Sequence, residues 1–326
     1  MGKFNVGILG SGMIAGVMAK TVNGMKDVAL YAVGSRSMEK AKAFADKFGC
    51  RKAYGTYEDL VSDKKIDLIY IATPHSEHYA NARLCIQYKK PVLCEKAFTA
   101  NAKQAEELIH FAEEKGVFIA EAIWTRYMPL LNTITDAIDN GVIGEPKMLT
   151  ANLGYAIKDV PRLVRPELAG GALLDLGVYP LNFAAMIFGS DVEKITSACT
   201  FTKSGVDEQN SMTLTYADGR MAVLHSTMCS NTDRRGIIYG TEGYMEIANI
   251  NNYEGIKIYD LSGKKVASCK RPKQITGYEY EVEACMKALK KNKLECPEMP
   301  HAETIRMMKM MDSIRAEWGI KFPFED

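Results

Sequence analysis

The sequence predicts an α/β protein: an N-terminal parallel Rossmann sheet, then an α+β domain with a large, open, mostly antiparallel sheet. Three observations carry this. Short apolar runs alternate with helical patterns through residue 122, as βαβ units do. A glycine cluster directly follows the first run. Beyond Gly144 the apolar residues recur every second position, with turn residues between the runs.

In order along the chain, residues 3–9 form an apolar strand that meets the glycines, and 14–25 a helix. Strand 28–33 and helix 38–48 follow. "DLIYIA" at 67–72 reads as a buried strand before helix 77–88. Strand 92–95, helix 102–115 and strand 117–122 close the series, and one helix covers 130–140. Met212, Leu214 and Tyr216 alternate with polar residues, Ala217-Asp218-Gly219 turns the chain, and Met221 and Val223 alternate back, a hairpin signal. Two helices finish the chain. Their stripes are Val282, Cys285, Met286 and Leu289, then Met307, Met311, Ile314 and Trp318, a spacing that fits core packing. These elements divide the chain into a dinucleotide-binding domain, 1–122, and a substrate-binding and oligomerisation domain, 123–326, with the terminal helices free to pack back on the first.

Composition narrows the function. The 326 residues carry 41 Lys and Arg against 40 Asp and Glu, a net charge of +1, so there is no basic footprint for nucleic acid. The eight cysteines show no CxxC spacing, which fits reduced thiols in a cytoplasmic protein. The start lacks a charged stretch followed by an apolar one, so no signal peptide is expected. No apolar run reaches the ~18 residues of a membrane span.

The glycine cluster has the pattern G-x-G-x-x-A in Gly10-Ser11-Gly12-Met13-Ile14-Ala15. Gly10 permits the tight turn, Gly12 lets backbone approach a pyrophosphate, and Ala15 lets the helix pack close. The helix expected from Ile14, just past Met13, aims free N–H groups at the anion, which Met13 and Ile14 help to hold. An NAD site usually places an acid near the end of the second strand. Here that strand ends in Val33-Gly34-Ser35-Arg36. Ser35 donates to a phosphate and Arg36 pairs with it or stacks on adenine, so NADP is expected over NAD.

"PVLCEKAFTA" at 91–100 runs an apolar strand straight into Glu95 and Lys96. Rossmann sheets bind ligand at the carboxyl ends of their strands. Lys96 therefore faces the nicotinamide rather than the core. Cys94 has no partnered base in the sequence and reads as a buried strand residue.

"GILGSGMIAG", "ATPHSEH", "CEKAF", "EAIWTRYMP" and "GGALLDLGVYP" resemble the glucose–fructose oxidoreductase/inositol dehydrogenase (Gfo/Idh/MocA) family. The resemblance spans the whole chain and is closest to its dihydrodiol dehydrogenase and NADP-dependent D-xylose dehydrogenase branch. It implies an NADP-dependent dehydrogenase or reductase of a sugar, polyol or vicinal diol, homo-oligomeric through the open sheet. The family's E-K-P has Ala97 here in place of proline, and its D-x-G-x-H becomes Asp175-Leu176-Gly177-Val178-Tyr179. Tyr179 is then an acid/base whose pKa Lys96 lowers, or Lys96 itself moves the proton; Glu95 offsets and positions the lysine. Asp175 and Tyr179 share a helix face, and Asp175 also reads as an N-cap.

The resemblance further places Thr73, Pro74, His75 and His78 beside the cofactor. Trp124 and Arg126 contact cofactor or substrate, or are respectively core and surface residues. Tyr155 and Arg162 line the substrate pocket. A metal site is not expected, because no further ligands cluster near the two histidines. A non-catalytic NADP- or sugar-sensing protein is the alternative; a sensor has no need of the Lys96 and Tyr179 proton groups.

Overall fold

The computed structural model describes residues 2–325. It divides into two compact units: residues up to Trp124 with Gln274–Met308, and Thr125–Lys273 with the residues from Lys309 onward.

In the first unit, β1 (Phe4–Leu9), α1 (Met13–Gly24), β2 (Val28–Gly34), α2 (Met38–Phe48), β3 (Lys52–Tyr54), α3 (Tyr57–Ser62), β4 (Leu68–Ile71), α4 (His75–Gln87), β5 (Val92–Glu95), α5 (Ala102–Lys115) and β6 (Ile119–Ala122) alternate. The six strands are parallel in the order β3-β2-β1-β4-β5-β6. Val6, Ile8, Leu68, Ile69, Val92 and Leu93 are fully buried, as expected of strands covered on both faces. Strand order reverses between β1 and β4, so their carboxyl ends splay and open a crevice. The periodicity does not predict β3 or α3, because three and six residues are too short to show a period. Their signal is local instead: Thr56 caps α3 by accepting from Asp59 N–H at 3.1 Å.

The second unit follows with α6 (Pro129–Asp139), β7 (Pro146–Gly154), α7 (Val178–Phe188), β8 (Lys194–Phe201), β9 (Asp207–Thr215), β10 (Met221–Thr227), β11 (Gly236–Gly240), β12 (Gly243–Ala248), β13 (Gly255–Asp260) and β14 (Lys265–Lys270). Its eight-stranded sheet has the order β14-β13-β12-β11-β7-β10-β9-β8. Every neighbouring pair is antiparallel except β7 with β10. One face buries Leu149, Ala151, Leu214, Leu224, Ile238 and Ile247, and α7 packs on β7 and β10. The other exposes Met148 and Met221 and a register-aligned row, Tyr239, Tyr244 and Tyr259. The chain closes with α8 (Glu279–Lys290) and α9 (His301–Glu317), where Met307, Met308, Met311 and Ile314 are buried.

Two sequence expectations need correction. The stretch from Pro166 to Phe188 is long and apolar enough to cross a membrane by composition, despite Asp175, and 89% of its most apolar window is buried inside the protein. Asp175 is not an N-cap. The helix begins earlier, as a π turn over Leu173–Gly177 that runs directly into α7, with Val178 N–H bonding the Leu173 carbonyl five residues back. Pro180 has no N–H to continue an α ladder, and a widened turn just before it accommodates that loss.

Candidate active site

The crevice between β1 and β4 is built from backbone. Gly10 has φ +108°, and a Cβ there would lie 2.7 Å from the Ala72 carbonyl oxygen, so only glycine lets β1 turn this close to β4. At Gly12, by contrast, an added Cβ meets nothing within 4 Å. Gly12 is the N-cap of α1, with no side-chain cap and no acid in the first turn. The first N–H groups of the helix therefore point into open space suited to a pyrophosphate. A cleft of about 290 Å³ is lined by Gly10, Ser11, Gly12, Ser35, Arg36, Thr73 and Pro74. Ser37, Lys40, Tyr57 and Glu77 also line it. Tyr57 escapes sequence reasoning because it starts the short α3; Lys40 lies one helical turn past Arg36, and its charge was the available signal. Met13 instead borders an adjacent groove between α1 and α2, with Lys20, Lys40 and Lys47. Ile14 is half-buried behind the loop.

At the end of β5, Glu95 is buried and Lys96 half-buried. The Glu95 carboxyl accepts from the Tyr70 hydroxyl and, at 3.2 Å, from Lys96 N–H. Burial, then the charge of Glu95, holds the Tyr70 phenol well above its usual pKa, so it stays a donor. The 96–97 peptide is cis. His78 is buried between two loops: Nδ1 lies 2.8 Å from the Ala97 carbonyl and Nε2 2.8 Å from that of Thr73. It ties the turn after Lys96 to the turn before α4, while burial lowers its pKa. His75 opens α4, its ring edge-on to His78 at 5.8 Å. Trp124 is buried and stacks on Tyr278 at 4.1 Å. Cys94 is fully buried, and desolvation pushes its thiol well above the usual range, so it is not a nucleophile. Among the described residues no group of three or more His, Cys, Asp or Glu side chains is arranged to hold a metal.

Glu281 lies outside the sequence expectations. On α8, it is fully buried, and among the described residues neither carboxylate oxygen has a hydrogen-bond partner. Burial, then the charge of Glu95, raises its pKa well above 4.5. Folded protein therefore holds a proton that the unfolded chain loses once pH passes about 4.5. That contribution is intact below this pH and is lost as pH rises toward the folded value. Glu281→Gln cannot ionise, so it should match wild type in acid and become progressively more stable than wild type toward neutral pH. Urea unfolding at a series of pH values measures this; a gap independent of pH refutes it.

In the second unit, Asp175 and Arg162 meet: Nη1 donates to Oδ1 at 2.9 Å and Nη2 approaches Oδ2 at 3.5 Å. Asp175 is 4% exposed, so the pair holds the 155–170 loop against the helix start. Tyr179 lies one turn further on and is buried. Arg126 donates from Nε to Asn182 Oδ1 at 2.7 Å, on the same helix. Tyr155 is half-buried; its hydroxyl accepts from Asn251 at 3.0 Å and Arg234 at 3.4 Å. It therefore lies with Arg234 and Asn251, while Arg162 lies with Asp175.

Residues 4–122 match a family described as an oxidoreductase family with an NAD-binding Rossmann fold. Residues 131–246 match the GFO/IDH/MocA C-terminal domain. The chain is 35% identical to trans-1,2-dihydrobenzene-1,2-diol dehydrogenase of Xenopus tropicalis, over 97% of this chain and 98% of that protein. The Mus musculus enzyme of the same name is 31% identical over 97% of each. Among solved structures, KijD10, a 3-ketoreductase from Actinomadura kijaniata in complex with NADP and TDP-benzene, superposes with a TM-score of 0.86 at 23% identity, covering 96% of this chain and 97% of that one. The aldose-aldose oxidoreductase from Caulobacter crescentus, complexed with glycerol, gives 0.85 at 20% identity, covering 97% and 98%. With both domains matched and relatives alike along nearly its whole length, this chain belongs to the Gfo/Idh/MocA family of NAD(P)-binding oxidoreductases.

Proposed function

We propose that the protein is an NADP-dependent dehydrogenase or reductase acting on a CH–OH carbon of a vicinal diol, sugar or cyclic polyol. The observation that carries this is the 35% identity over 97% of the chain with a dihydrodiol dehydrogenase. The glycine cradle and the Lys96 strand end support it.

When bound, the nicotinamide supplies hydride transfer. The remaining work falls to the chain. Gly10, Ser11 and Gly12, with the free N–H groups of α1, hold the pyrophosphate. Ser35, Arg36 and Lys40 receive the 2′-phosphate: the cleft sets these two cations beside the Ser35 hydroxyl just past β2, where an NAD site would place an acid, and the acid that does line it, Glu77, stands on α4. Thr73 and Pro74 flank the crevice, and His78 holds the turn after Lys96 in place. Tyr179 takes the hydroxyl proton during oxidation and returns it during reduction. The Lys96 ammonium stabilises the phenolate by charge. In this reading Asp175, clamped by Arg162, sets the helix that presents Tyr179. Trp124 and Tyr155 shape the substrate side.

The test is a nicotinamide absorbance assay with NADP and NAD against trans-dihydrodiols, aldoses and inositols. Turnover of at least one class with NADP is expected; no turnover of any class refutes the proposal. Arg36→Ala should weaken NADP binding by about tenfold or more, the worth of one charge-assisted contact, and NAD binding little. Equal losses for both cofactors, read by fluorescence titration, would remove the phosphate assignment.

A further inference from the structure

We propose that Asp207, at the start of β9, is a positioning residue that fixes the helical turn presenting Asp175 and Tyr179. The inference rests on the role given to Tyr179 above.

Asp207 is 3% exposed. Its Oδ2 accepts from Leu173 N–H at 2.8 Å and from Asn210 Nδ2 at 2.8 Å. Asn210 Oδ1 in turn accepts from the Ser226 hydroxyl at 2.9 Å. Leu173 is the first residue of the π turn, so its N–H is one of the donors a helix start leaves unpaired. A buried carboxylate thus satisfies the start of the segment from another part of the sheet. Gly171 has φ +116°, and a Cβ there would sit 2.4 Å from Asp207 Oδ1. Only glycine lets the chain pass this close before the helix begins.

The geometry makes the tether directional. Asp175 and Tyr179 lie two and six residues past Leu173. A shift at Leu173 rotates both side chains together, because the π turn and α7 are continuous. Arg315 on α9 acts on Asp207 from one side and favours its charge. Burial, then the field of this carboxylate, raises the thiol of Cys199 on β8. Burial pushes the Asp207 carboxyl up to about 6, against the hydrogen bonds that oppose the shift. Near that pH the tether changes from a charge-assisted acceptor to a weaker neutral one.

The experiment measures amide hydrogen exchange over residues 173–179 with turnover in parallel. In wild type, protection corrected for intrinsic exchange should fall as pH drops through about 6; protection that stays flat overturns the proposal without any variant. In Asp207→Asn these amides should exchange faster than in wild type at neutral pH, and kcat should drop roughly tenfold to a hundredfold, the range of one charge-assisted hydrogen bond. NADP affinity should stay within about twofold, since the cradle lies elsewhere. Ser226→Ala, a milder change that releases Asn210, should give a smaller effect in the same direction. Normal exchange in a folded Asp207→Asn protein refutes the tether even if Tyr179→Phe is inactive. Faster exchange together with full turnover by Tyr179→Phe keeps the tether and refutes the acid/base role instead.

Discussion

Lys96→Met and Tyr179→Phe should each lower kcat by about 10²–10⁴-fold, the usual worth of a positioned acid/base group. Folding should survive both. Lys96 follows the last residue of β5 and is half-buried, so methionine replaces its stem without opening a cavity. Tyr179→Phe keeps the ring that fills its buried site. Thermal melts and NADP titration are therefore expected to stay near wild type while single-turnover rates collapse. If the phenol carries the proton, Tyr179→Phe also flattens the pH profile of kcat; if the amine does, Lys96→Met does so. Normal turnover by both variants on an active substrate ends the acid/base assignment.

Gly10→Ala and Gly12→Ala should fail in opposite ways. At position 10 a methyl meets the Ala72 carbonyl oxygen at 2.7 Å, on backbone that alanine rarely adopts. Strain of this kind costs about 1–3 kcal/mol, and the turn that shapes the crevice shifts with it. Gly10→Ala should therefore lower Tm and weaken dinucleotide binding together. At position 12 the same methyl meets no protein atom within 4 Å, and φ is −81°. Gly12→Ala should keep its Tm but bind dinucleotide more weakly, because the methyl enters the phosphate space. Calorimetry with and without NADP separates the two. Wild-type affinity in a folded Gly12→Ala protein would move the cradle off this loop.

Much of the first unit is legible residue by residue. Gly10 announces its turn because sterics act within one peptide, and the buried runs at 67–72 and 92–95 announce strands because apolar residues fill them. The π turn before Pro180 is harder to read: Asp175 is a good cap residue, so local preference favours a helix start there that tertiary packing overrides. Tyr70 reads as an ordinary strand tyrosine. Its hydroxyl becomes meaningful only beside Glu95, which is 25 residues away. Trp124, read either as core or as a contact residue, is stacked on Tyr278 in the first unit.

The sequence by itself determined most of the first unit's strands and helices, the glycine turn and the family, since period, backbone sterics and contiguous motifs operate over a few neighbouring residues. Only the tertiary structure decided that Asp207 anchors Leu173, 34 residues upstream, and that Glu281 is buried near Glu95. Such pairings depend on how the sheets bring distant segments together. A side chain's neighbours, unlike its backbone preferences, are a property of the whole fold.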